Sequence, residues 1–205
     1  MTTGEPSIQA NPTAKATITK DVALGQISFA AFIAICVALH PGLVLKSNEG
    51  GLSNYGVHAK TVVPYTLALA LAAGFSLRAA RTIHQSTSGR FLDRLLNTYG
   101  VLTLLTLVTT YGYTLNKPLR DLHVGVGVVI TVFEFAASLW MYREIKSLHF
   151  FFAAGLVGFA LAIVTFFGAL HVLFLTQLLI GGAFALLLIR TSRETTYSSS
   201  RGELT

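Results

Sequence analysis

Charge is scarce in this chain. Only 12% of its 205 residues are Asp, Glu, Lys or Arg, against about 25% in a typical soluble domain, and none of them falls between Leu148 and Ile189. A water-soluble class is excluded, because a solvated surface cannot be built from uncharged runs of that length. Cysteine is nearly absent as well. Cys36 stands alone, so there is no intramolecular disulfide and no CxxC redox or metal motif. Inside the first apolar run it reads as a small buried packing residue. No HExxH occurs, and no two histidines are spaced i, i+3 or i, i+4, so a helix-borne metal pair is excluded too. The first 20 residues are polar and mixed, and the apolar run that starts near Val22 is too long for a signal-peptide core. It reads as a membrane span.

Apolar residues make up 53% of the chain, and the mean hydropathy is +0.63. They gather into stretches about as long as a bilayer is thick, roughly 20 helical residues each. The predicted spans are Val22–Leu45, Thr61–Ala80, Leu95–Leu115 and Leu122–Tyr142. The run of about 40 residues from Leu148 to Ile189 would measure on the order of 60 Å as one helix, so it must fold back, with a turn near Gly168–His171. The expected fold is therefore an all-α polytopic bundle of six transmembrane helices over 21–190. A disordered tail over 1–20 and a flexible tail over 191–205 flank it. The net charge of +6 reflects topology rather than nucleic-acid binding: eleven of the fifteen Lys and Arg residues fall on one side of this arrangement and four on the other. The positive-inside rule then puts both termini in the cytoplasm. For a prokaryote the membrane is the cell membrane. Trp140, Tyr142 and Tyr99 fall where an aromatic belt belongs, and Gly155, Gly158, Gly181 and Gly182 offer close helix contacts.

Glu134 is the ionisable residue deepest in a span. Charge at mid-bilayer costs several kcal/mol by most estimates, about 2.5–3.5 at the least, so such a residue is a functional candidate by default. Spacing places His123, Gly127, Thr131, Glu134 and Ser138 on one helix face, which must point into the bundle, while Ile130, Phe133 and Leu139 suit lipid or apolar packing. No mid-membrane Lys or Arg stands by to pair with Glu134, which favours its neutral, hydrogen-bonding form. The third span carries a matching polar stripe, Tyr99, Thr103, Thr106, Thr110 and Tyr113, whose hydroxyls are the expected partners of Glu134. Gln26 and Gln177 are further interhelical donors and acceptors.

His40, His58, His123 and His171 fall at one level, near the predicted outer surface, and are the candidate ligands for a metal or haem. His84 and His149 lie on the opposite side as ordinary interfacial residues. Glu134 is about 16 Å along the helix from His123, too far to act as base for a metal held there. The loop between the first two spans is rich in turn chemistry: Gly50, Gly51, Ser53, Asn54 and Gly56 supply positive φ and local hydrogen bonds. At 15 residues it is longer than a hairpin needs, and Ser53, Asn54 and Tyr55 are expected to cap an outward-facing pocket.

The run Gly51-Leu52-Ser53-Asn54-Tyr55-Gly56, with the six-span layout, resembles a loose group of six-span prokaryotic integral membrane families. More distantly it resembles the autophagy-modulator and Sfk-type membrane proteins. In that group a short Ile-Ser-Asp-like motif precedes the second span; Leu52, Ser53 and Asn54 stand at its place here, with asparagine in place of the acid. The resemblance implies lipid handling or membrane organisation and supplies no catalytic residues.

The residues favour a non-enzymatic membrane protein that binds a lipid or small amphiphile in an outward-facing cavity. Glu134, Thr131, Ser138, His123, Thr106, Thr110 and Tyr113 would line it, with Ser53, Asn54 and Tyr55 above. Its expected partners are membrane lipids and a small amphiphilic ligand, with no cofactor and no nucleic acid. Two alternatives stand beside it: a metal- or haem-dependent enzyme or electron carrier using the outer histidines, and a proton-coupled transporter using Glu134.

Overall fold

The computed structural model describes residues 12–46, 51–85, 90–112, 114–144, 149–168, 170 and 172–198. All regular structure among them is helical: α1 Pro12–Leu39, α2 Gly42–Lys46, a 3₁₀ segment Gly51–Val57, α3 Val62–Gln85, α4 Arg90–Gly112, α5 Lys117–Glu144, α6 His149–Phe166 and α7 Leu173–Ser198. Six of these, all but α2 and the 3₁₀ segment, are long and apolar enough to cross a membrane. The chain is thus a multi-pass helical membrane protein. α1 packs on α3, α3 on α4, α4 on α5, α5 on α7 and α7 back on α1, while α6 lies outside this ring against α5 and α7.

Helix ends follow local chemistry. Asn116 caps α5 by accepting the Leu119 N–H at 3.0 Å, as an N-cap side chain does. The fold-back between the last two spans comes where it was expected: α6 ends at Phe166, and Gly168 takes a φ of +76°, a conformation open to glycine at no steric cost. His171 lies outside the described residues.

α1 begins ten residues before the predicted first span, at Pro12, where proline suits a first helical position. The reason is a packed stripe. Ile18 and Val22 join the inner core beside Ala79, Ala80 and Ile83 of α3, and Asp21 between them pairs with Arg78 at 3.1 Å. α7 likewise runs on to Ser198, because Thr191 and Ser192 are buried and the Ser192 carbonyl accepts the Thr19 hydroxyl at 3.3 Å. The helices therefore take in 12–20 and 191–198, stretches that polarity alone marks as tails. The remainders, 1–11 and 199–205, lie outside the described residues.

Small residues set the helix contacts. α3 presents Ala68, Ala72, Ala73, Ala79 and Ala80, all fully buried, and α1 meets this strip through Gly25, where a Cβ would lie 3.1 Å from the Phe75 Cβ. Gly158 of α6 lies so close to α7 that a Cβ would stand 2.8 Å from the Leu179 Cβ and 3.1 Å from the Ile180 nitrogen. Gly181, by contrast, has open space around it. Gly158→Ala is therefore expected to destabilise the α6–α7 pair by about 1–3 kcal/mol. Gly181→Ala is expected to stabilise by roughly 0.5–1 kcal/mol through helix propensity. Thermal melting of the two variants in mild detergent checks both signs.

Candidate functional site

Polar side chains gather in two layers of the bundle. The first is at the end that holds the 3₁₀ segment, which inserts against α3, α4 and α7. Its sequence explains how it fits. Gly51, at φ +59°, has no Cβ where the Gln177 amide sits, so the Leu52 N–H reaches Gln177 Oε1 at 2.7 Å. A Cβ on Gly56 would stand 2.6 Å from the Tyr65 ring. The Tyr55 carbonyl accepts the Thr61 hydroxyl at 2.7 Å. Tyr55 itself is fully buried beside Phe174, with ring centroids 6.1 Å apart. Its own hydroxyl has no partner among the described residues, and burial raises the phenol's pKa above its ordinary value. Asn54 is half-buried.

Ser53 and His123 meet at the centre of this layer, 6% and 8% exposed. The Ser53 hydroxyl lies 2.7 Å from His123 Nε2, and His123 Nδ1 lies 2.9 Å from Thr109 Oγ1. The direction of each bond follows from a hydrogen inventory. Thr109 has one hydroxyl hydrogen and donates it to the Leu105 carbonyl at 2.8 Å, so towards His123 it accepts. Nδ1 then carries the ring hydrogen, and Nε2 accepts from Ser53. Thr110 donates to the Thr106 carbonyl at 2.7 Å and so offers an acceptor to the Tyr65 hydroxyl at 3.2 Å, which also lies within hydrogen-bonding reach of Ser53.

The second layer lies deeper. Glu134 of α5 is half-buried on the face that also holds buried His123, Ser138 and Met141, while Leu122, Val124, Val128, Val129 and Val132 are exposed. Ile130 and Phe133 pack against the inner core, so of lipid and apolar packing they take the second. Glu134 lies within electrostatic reach of Tyr99, whose ring packs on Phe184 at 4.9 Å; Phe133 meets the same Phe184 at 6.4 Å. Gln26 stands beside Tyr99 from α1. The Gln26 amide lies within hydrogen-bonding reach of the Tyr99 hydroxyl, while buried Ser138 Oγ has no hydrogen-bond partner among the described residues.

The expected residues are thus divided between the layers. Ser53, Tyr55, His123 and Thr110 belong to the first, Glu134 and Ser138 to the second. Thr106 and Thr131 donate to the carbonyls of Leu102 and Gly127 on their own helices. Of the α4 stripe, Tyr99 is the member near Glu134, since Thr103, Thr106 and Thr110 turn their hydrogens back on their own helix. Tyr113 lies outside the described residues. Thr109 and Tyr65 were not singled out by spacing: Thr109 is one position off the stripe, and Tyr65 sits in the opening turn of an ordinary span. The signal for both was the need of a buried histidine and a buried phenol for partners.

The four outer histidines divide as well. His40 and His58 meet with ring centroids 4.5 Å apart, while both ring nitrogens of His123 are engaged in its own network. Among the described residues no three His, Cys, Asp or Glu side chains are placed to hold a metal ion. On the other side, His84 pairs with Asp93 at 3.3 Å, and His149 bonds to the Tyr142 hydroxyl at 2.7 Å. Comparison with protein-family models, with curated proteins and with solved structures finds no match to this chain.

The Leu52–Gln177 bond is the tie between the 3₁₀ segment and α7. Gln177→Leu leaves the Leu52 N–H without its acceptor, at a cost of about 1–3 kcal/mol. The expected outcome is a lower melting temperature and faster maleimide labelling of a cysteine placed at Asn54, in a Cys36→Ala background.

Proposed function

We propose that this membrane protein binds the polar group of a lipid or small amphiphile in the deeper layer. Gln26, Tyr99, Glu134 and Ser138 would face that group, and the segment Gly51–Val57 would cap the site from its own end of the bundle. The observation that carries this reading is Ser138 Oγ, buried and without a hydrogen-bond partner among the described residues, one helical turn along α5 from a carboxyl group inside a membrane span. Buried polar groups are nearly always hydrogen-bonded, and the bilayer core supplies no water to satisfy them. A ligand bearing donors and acceptors would do so, its apolar portion lying along Phe133 and Phe184. The role would be transport, lipid organisation or scaffolding.

Protein extracted gently from membranes is expected to retain an amphiphile, detected by native mass spectrometry. Ser138→Leu is expected to weaken retention about tenfold, the worth of one hydrogen bond of roughly 1.4 kcal/mol. Equal retention in wild type and variant would sink the proposal. Proton-coupled transport is a second reading, favoured by Glu134 and Tyr99 lying within reach of each other. Glu134→Gln separates the two. Retention that survives this change supports a neutral contact. Transport that loses its dependence on a proton gradient, with retention intact, supports coupling.

A further inference from the structure

We propose that Ser53 is a nucleophile activated by His123, and that the layer around it carries out acyl transfer on carboxylic esters of membrane amphiphiles. Three features of the geometry support this. The Ser53 hydroxyl and His123 Nε2 are 2.7 Å apart, the distance a serine and its general base need. Thr109 favours one tautomer: because its own hydrogen goes to the Leu105 carbonyl, it accepts the ring hydrogen from Nδ1, which makes Nε2 the acceptor facing Ser53. Serine, base and orienting group come from three separate elements, the 3₁₀ segment, α5 and α4. The serine also stands near the surface of the bundle. Leu52 and Asn54 on either side of it are half-buried, and Val57 is exposed. Ser53 lies in sequence between the candidate spans Thr13–Leu39 and Val62–His84, so an ester near the polar end of an amphiphile is the group it would meet.

The chemistry balances without any further reagent than water. As the Ser53 oxygen bonds to the ester carbonyl carbon, its proton passes to His123 Nε2. The carbon–oxygen bond to the alcohol portion then breaks, and the leaving oxygen takes that proton, giving a free alcohol and acyl-Ser53. Water gives a proton to the same nitrogen as its oxygen attacks the acyl carbon, and Ser53 leaves with the proton, releasing the acid. Ser53 and His123 are the catalytic residues; Thr109 is a positioning residue.

The test is covalent labelling of the full chain in mild detergent with a fluorophosphonate probe, located by peptide mapping. The wild type is expected to be labelled at Ser53, above a heat-denatured control. His123→Gln is expected to slow labelling by about a hundredfold or more, the share general-base catalysis contributes. Thr109→Val should slow it, and Thr109→Ser should restore the wild-type rate, which a merely structural loss would not show. No labelling of the wild type above the denatured control overturns the proposal. So does labelling elsewhere than Ser53, or an equal rate in His123→Gln. The wild-type result decides even if a variant fails to fold. This activity stands apart from the deeper layer: covalent labelling reads Ser53 alone and native mass spectrometry reads the retained amphiphile, so either result can fail while the other holds.

Discussion

Hydrogen bonding inside a medium without water is the constraint on which this structure depends. In soluble proteins a stray hydroxyl or amide can turn to solvent. In a bilayer it must find a partner in the protein. Helices settle the backbone, and the side chains then have few solutions. The threonines of α4 show one of them: Thr103, Thr106, Thr109 and Thr110 each donate to the carbonyl four residues back. A threonine satisfied in this way still has acceptor lone pairs, and two of the four use them across helices, towards His123 and Tyr65. The helix thus converts donors that would be costly in lipid into acceptors aimed at its neighbours.

That conversion shapes the upper layer, although buried Tyr55 Oη there has no partner among the described residues. The upper layer has a donor for each of these acceptors: the His123 ring hydrogen, the Tyr65 hydroxyl and, through Gln177, the Leu52 backbone. Its parts come from α3, α4, α5, α7 and the 3₁₀ segment, so the segment is held by the same bonds that satisfy the helices. In the deeper layer Ser138 Oγ has no acceptor at hydrogen-bonding distance among the described residues, and the Gln26 amide reaches Tyr99. Aromatic rings pack in the same layer, Tyr99 tilted against Phe184 and Phe133 edge-on to the same ring.

The class of the protein was legible because hydropathy and span length are properties of single segments. The turn at Gly168 and the inward face of α5 were legible for the same reason: one follows from the length of an uncharged run, the other from helical spacing. The ends of α1 and α7 were not. Pro12 to Lys20 and Thr191 to Ser198 are polar enough to read as tails, and they are helical because Ile18, Asp21 and Ser192 meet partners far along the chain. The union of Ser53 with His123 and Thr109 depends on three segments meeting. Spacing within one segment carries no trace of such a contact. The loop's glycines marked it as special, and what they permit is insertion: Gly51 makes room for Gln177, and Gly56 for Tyr65 and Thr110.

The depth of the inner layer follows from three helices independently. The Asp21–Arg78 pair is anchored at the end where the chain termini lie, with the carboxylate side chain 3% exposed and the arginine 65% exposed, as an arginine reaching out from an apolar stem would be. Gln26 stands about 7.5 Å further along α1 at the helical rise. Tyr99 lies about 13 Å along α4 from its start at Arg90, and Glu134 about 15 Å along α5 from its end at Glu144, by the same rise. A hydrocarbon core of about 30 Å leaves all three inside it. Bulk water cannot reach that depth along closely packed helices, so the unpaired groups there must be met by each other, by an enclosed water or by a molecule that enters from the bilayer. Of these, a bilayer molecule is the one that the reading proposed above takes, set against the half-buried Glu134 carboxyl.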